Sequence, residues 1–231
     1  MIGCLIIHGY TGGPYEVDPL AAFLLENTNW HVEVPTLPGH GKHLCLTEEN
    51  VSHKRWIQAA ERTLKTMIET YDQIYLIGFS MGGMIASYLA TKYKVTKLVL
   101  LAPAGKYLSW KQILLDVGEV LVDGCKGTLR QNKLYLHYKK KLGAVPLKAN
   151  LEFLKLVRFT RPYLKNVDTP VLIAQGQQDG LVPYKTAYYL EKEMTSKQKE
   201  VVFFERSKHL ICLGNDKDTL NTIVYSFLTK K

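Results

Sequence analysis

Short apolar runs recur along the chain at Gly3–Ile7, Ile74–Ile77, Val95–Leu101 and Val171–Ala174. A strand with one wet face alternates apolar and polar residues, so runs of this kind predict strands covered on both faces. Two weaker strand signals lie at His31–Val34 and Val201–Phe204. Between these strands the spacing turns helical. Helices are expected over Pro19–Asn27 and from a cap at Ser52 to about Tyr71, the latter with Trp56, Ile57, Ala60, Leu64 and Ile68 on one face. Others are expected over Met81–Tyr93, with a stripe of Met84, Ile85, Tyr88 and Leu89, over Tyr184–Met194 and over Thr219–Leu228. Strands alternating with helices of this length build βαβ units, so the fold class is α/β with a mostly parallel sheet of about six strands flanked by helices.

The rhythm breaks in the middle. Residues 105–165 read as helical and basic with no convincing strand, which is the pattern of a helical cap inserted into a core formed by 1–104 and 166–231. The charge sits there too: residues 103–168 hold 13 Lys and Arg against 5 Asp and Glu, nearly all of the chain's net +9. A nucleic-acid binder needs such a patch together with a base-reading element or stacking aromatics on a strand face, and none is recognisable, so a solvated lysine-rich surface is the expectation. No run of 18 apolar residues occurs, so no membrane-spanning helix is expected. Met1–Ile7 lacks a basic leader and does not read as a signal peptide. Cys4, Cys45, Cys125 and Cys212 are widely spaced without a C-x-x-C, the usage of reduced thiols in a cytoplasmic protein.

The chemistry-bearing motif is Gly78-Phe79-Ser80-Met81-Gly82, placed directly after one strand and before one helix. A serine on so sharp a turn needs small neighbours two residues away on each side, and the helix behind it offers free N–H groups to a developing oxyanion. A dinucleotide-binding turn would place glycine where Ser80 stands and an acidic residue at the end of the next strand, which instead ends Leu101-Ala102-Pro103. The Gly-Lys-Ser/Thr of a P-loop is absent. A serine nucleophile requires a base and a group that orients it. His209, five residues past the last strand, is the candidate base. Asp179, in Gly176-Gln177-Gln178-Asp179-Gly180, is the candidate acid, with Glu205 and Asp216 as rivals. The backbone N–H groups of Tyr10, in the glycine-rich loop after the first strand, and of Met81 are the candidate oxyanion donors. His40, His43 and Cys45 lie close in sequence but lack a second ligand pair, so no metal is expected. His31, His53 and His137 read as surface or structural residues.

These pieces resemble the α/β-hydrolase superfamily, and within it the compact bacterial carboxylesterases related to monoacylglycerol lipases. The resemblance is carried, in order, by HGYTGG (8–13), PTLPGHG (35–41), GFSMGG (78–83), GQQDGLVP (176–183) and SKHL (207–210). It implies an α/β-hydrolase fold, a triad of Ser80, Asp179 and His209, and oxyanion donors at Tyr10 and Met81. Two departures stand out. Lys208 precedes the histidine where the family often has glycine, and the chain begins at the strand leading to the oxyanion loop, so six strands are expected.

The expected activity is hydrolysis of carboxylic esters with short- to medium-chain acyl groups through an acyl-enzyme on Ser80, without cofactor. The expected partner is a small ester with an apolar acyl group, taken up by a monomer or homodimer; apolar residues of 105–165, such as Trp110, Leu121, Phe153 and Phe159, would form cap core and acyl pocket. Weak contact of the basic segment with anionic surfaces would be lost in salt. A thioesterase, an acyltransferase or a hydrolase of carbon–carbon bonds would use the same three residues, and a ligand receptor would use the same fold.

Overall fold

The computed structural model describes residues 1–46, 52–105 and 145–230. Six strands form, β1 (Ile2–Ile7), β2 (His31–Glu33), β3 (Gln73–Phe79), β4 (Lys97–Leu101), β5 (Val171–Gly176) and β6 (Lys199–Phe204). They make one sheet in the order β2-β1-β3-β4-β5-β6, with every neighbouring pair parallel. Among the described residues six helices flank it, α1 (Asp18–Asn27), α2 (His53–Thr70), α3 (Met81–Ala90), α4 (Leu147–Thr160), α5 (Lys185–Glu193) and α6 (Lys217–Thr229).

The apolar runs are explained by two cores. Leu5, Ile7, Leu76, Leu98, Leu100, Val171 and Ile173 face the core closed by α2, α3, α4 and α5. Their alternating neighbours Cys4, Ile6, Ile77, Val99, Leu101, Leu172 and Ala174 face the second core, closed by α1 and α6. A charge on either face of the central strands would be stripped of water, and their one charged residue is Lys97, at the very start of β4, whose ammonium donates to Phe227 O and Leu228 O.

Four local expectations are corrected. Ser52 holds the N-cap position of α2, but its hydroxyl makes no capping bond. Glu152 of α4 does that work: its Oε2 accepts the His53 N–H at 3.0 Å and lies 2.6 Å from His53 Nδ1, while Lys155 Nζ reaches Oε1 at 2.7 Å. A carboxylate at the positive end of a helix is favourably placed. Burial works to raise this carboxyl's pKa, but the bonds from Lys155 and His53 outweigh it and hold the pKa at about 2. Met67 rather than Ile68 completes the buried stripe of α2, and α3 stops at Ala90. Nor is α3 amphipathic; it is buried on nearly every side because α4 packs across its outer surface.

Helix α4 and the 3₁₀ turn Arg161–Asn166 are the described part of the middle segment. Phe153 is buried, while Leu151 and Phe159 are exposed. The expectations for Leu108–Leu121, Cys125 and His137 fall outside the described residues. Among the described residues, no helix is long and apolar enough to cross a membrane.

The strand order positions the site. From β1 the chain crosses to β2 on one side, then returns to β3 on the other, so β1 and β3 are adjacent at a topological switch point. Ligands of open parallel sheets bind outside the carboxyl ends of the strands at such a point. Register pairs Ile7 with Gly78, which sets the loop after β1 beside the turn carrying Ser80.

Candidate active site

Ser80 sits between β3 and α3 with φ of 53° and ψ of −113°, a conformation that L-residues rarely adopt. Strain of this kind costs about 1–3 kcal/mol and persists only where the surroundings over-determine it. Here the Ser80 N–H donates to Leu101 O at 2.8 Å, and Ser80 O accepts from Gly83 and Ala104 N–H, both at 3.1 Å. The flanking glycines are steric necessities. A Cβ on Gly78 would lie 2.3 Å from Gly82 O, and one on Gly82 would lie 2.1 Å from Ile7 O. The close approach of Gly82 to β1 is also what brings the loop after β1 against the start of α3. Met81 opens that helix, so its N–H has no acceptor within the helix.

The structure brings Ser80, His209 and Asp179 together from three separate loops. His209 Nε2 is 2.9 Å from Ser80 Oγ, and His209 Nδ1 is 2.7 Å from Asp179 Oδ2. A carboxylate only accepts, so Nδ1 carries the proton and Nε2 is left to accept the serine hydroxyl. Asp179 Oδ1 accepts from the N–H groups of Leu181 (2.9 Å) and Val182 (2.8 Å), and Gln175 Nε2 donates to Oδ2 at 2.8 Å. The Asp179 side chain is fully buried, whereas the imidazole keeps 13% of its surface open. The histidine loop is pinned to the acid's turn: Gln178 N–H donates to Ser207 O at 3.1 Å, and Ser207 Oγ donates to Asp216 Oδ2 at 2.7 Å. Of the rival acids, Asp216 therefore braces the loop and Glu205 is exposed.

The loop after β1 is braced from below. Gly9 N–H donates to the buried Glu16 carboxylate at 3.1 Å, and Gly41 N–H donates to Gly12 O at 2.8 Å. The Tyr10 ring stacks on Phe153 of α4 with centroids 4.7 Å apart, and its hydroxyl donates to Asn150 Oδ1 at 3.0 Å. His8 is a structural residue. Its Nδ1–H donates to Gly9 O at 2.9 Å, and its Nε2 accepts the Leu37 N–H at 3.0 Å, joining this loop to residues 35–41.

Burial lowers the His8 pKa from 6.5 to about 4, so the native state holds a neutral ring. Above pH 6.5 neither state takes up this proton and the stability is fully present. As pH falls toward 4, the unfolded chain binds a proton that the native state refuses. Unfolding in urea should show the protein losing about 2–3 kcal/mol from this group between pH 7 and pH 4.5. His8→Gln should lack that component; an equal pH dependence in both proteins would overturn the assignment.

His40 is buried, with Nδ1 2.9 Å from Pro38 O and its ring against His8, Tyr10 and Trp56, while Cys45 is exposed. Among the described residues no cluster of three or more His, Cys, Asp or Glu is placed to hold a metal. His31 is exposed, 3.7 Å from Glu33, and His53 is bound to Glu152. No motif in the sequence marks Glu16 or Asn150, which brace the loop after β1. Gln175 alone had a signal, as a polar residue near the end of an otherwise apolar strand.

The profile of the family described as serine aminopeptidase, S33 (Hydrolase_4) matches residues 3–218. The chain belongs to this family. Members share the α/β-hydrolase fold seen here, and the esterase and lipase kinship is direct. A thermostable monoacylglycerol lipase of Bacillus sp. (strain H-257) is 26% identical over 233 residues, covering 99% of this chain and 91% of that protein. A carboxylesterase of Bacillus subtilis (strain 168) is 24% identical over 245 residues, covering 98% and 92%. Among solved structures, one from a study of the metagenome-derived lipolytic enzymes LipS and LipT superposes with a TM-score of 0.79 at 21% identity, covering 100% of this chain and 94% of the other. At that identity the superposition speaks for the fold alone. Family and relatives together make this S33 hydrolase an enzyme of the carboxylic ester hydrolase class.

Proposed function

We propose that this S33-family protein cleaves carboxylic esters of short- to medium-chain acyl groups through an acyl-enzyme on Ser80, with residues 105–165 as a helical cap over the site. The observation that carries this reading is the unbroken hydrogen-bonded series from Ser80 Oγ through His209 to the buried Asp179 carboxylate. His209 Nε2 takes the serine proton as Oγ attacks the ester carbonyl. Asp179 holds the tautomer and stabilises the imidazolium that forms. The N–H groups of Tyr10 and Met81 receive the oxyanion, each such donor being typically worth about 3 kcal/mol in the transition state. The tetrahedral intermediate expels the alcohol, which takes its proton from His209. Water then adds to the acyl-serine, giving a proton to His209, and the acid departs as that proton returns to Ser80.

The seating of α4 on α2, α3 and Tyr10 supports the cap reading, because α4, the described end of the middle segment, lies beside the proposed oxyanion loop. The test is hydrolysis of p-nitrophenyl esters from acetate to palmitate, with rapid quenching and mass spectrometry to look for the acyl group on Ser80. Turnover on short and medium chains with an acyl-Ser80 peptide is expected. Turnover confined to thioesters or absent throughout, with the protein folded, overturns the assignment.

A further inference from the structure

Gln175 is a polar residue in the middle of the sheet that the proposed mechanism does not use. It is completely buried on β5, whose other residues are apolar apart from the closing glycine. Its Nε2 lies 2.8 Å from Asp179 Oδ2, 3.3 Å from Val182 O and 3.5 Å from Gly176 O. All three neighbours are acceptors, so the amide nitrogen and not the oxygen faces them. The other half of the amide is buried without a partner among the described residues. A buried carbonyl left unmet carries a desolvation penalty. Leucine or methionine would fill the same volume without that penalty, so volume alone does not account for glutamine here. What glutamine adds is the donor aimed at Asp179.

We infer that Gln175 is a positioning residue for the Asp179–His209 pair. The inference rests on the proposed roles of Ser80, Asp179 and His209. The N–H groups of Leu181 and Val182 anchor Oδ1 only. Gln175 anchors Oδ2, the oxygen that accepts His209 Nδ1–H, and so fixes the plane of the carboxylate and with it the direction of the imidazole. It also shares the negative charge. A carboxylate that loses a donor is a stronger base and stabilises a neighbouring imidazolium more. Among the described residues, the other groups facing His209 are Ser80 at Nε2 and the Phe79 ring of β3, its centroid 5.2 Å from that of the imidazole; Glu205 and Lys208, on its own loop, are exposed.

The test compares wild type, Gln175→Met and Gln175→Glu on one p-nitrophenyl ester across pH, with Ser80→Ala as control. Gln175→Met removes the donor, and its kcat should fall roughly 10-fold, the worth of one charge-assisted hydrogen bond, with KM within about twofold. The acid limb of its pH–rate profile should move to higher pH, a shift that a merely space-filling residue would not produce. Gln175→Glu keeps the shape, so no cavity explains a loss, and its activity should decline as pH rises and the new carboxyl ionises against Asp179. If Gln175→Met fails to fold, the Glu variant decides. Full activity in Ser80→Ala would sink the underlying reading. An inactive Ser80→Ala alongside Gln175 variants with wild-type kcat and pH profile would overturn the role of Gln175 alone.

Discussion

Ser80→Ala is expected to lower kcat on p-nitrophenyl esters by about 10⁵–10⁶-fold while leaving KM nearly unchanged. The reason lies in what the hydroxyl touches. Its side-chain partner is His209 Nε2 at 2.9 Å, so its removal takes away the attacking atom but no group that holds the rest of the substrate. The turn itself should survive, because the backbone bonds of Ser80 to Leu101, Gly83 and Ala104 do not involve Oγ. Alanine at φ of 53° is strained much as serine is, so thermal melting should show little change. A variant with kcat within tenfold of wild type would remove Ser80 from the mechanism and return attack to water or to another residue.

Asp179→Asn should produce the second-largest loss, about 10⁴-fold in kcat. Every group around this carboxylate donates: Leu181 and Val182 N–H to Oδ1, Gln175 Nε2 and His209 Nδ1 to Oδ2. A carboxamide must turn its NH₂ toward one of those pairs. Turned toward the backbone pair, it meets two N–H groups that cannot rotate away. Turned toward His209, it makes Nδ1 an acceptor, which moves the proton to Nε2 and leaves nothing to take the proton of Ser80. The first orientation costs stability and the second costs chemistry, so urea unfolding and kinetics should both respond. Burial of the side chain removes water as a substitute partner. Wild-type kcat in this variant would rule out Asp179 as the group orienting the base.

Much was legible in the chain because its signals are local. An apolar run such as Ile74–Ile77 can be buried on both faces only in a covered sheet, and two glycines spaced around Ser80 after a strand leave room for one kind of turn. The order Ser80, Asp179, His209 was readable for the same reason: each follows an apolar strand, and parallel strands deliver their carboxyl ends to one edge. The cap of α2 was not readable, since its acceptor is Glu152, 99 residues away from His53. The burial of α3 on nearly every side was not readable either, because a helix's outer face is decided by what packs on it, here α4.

The chain's own pattern therefore determined the fold class, the turn carrying Ser80 and the loops from which its partners come. The tertiary structure alone decided that Glu152 caps α2, that His8 is a neutral brace, and that Gln175 turns its nitrogen toward the acid. Those are matters of ångströms and directions between elements distant in sequence. Periodicity and spacing hold information about single elements, while hydrogen-bond partners are set only when the elements pack.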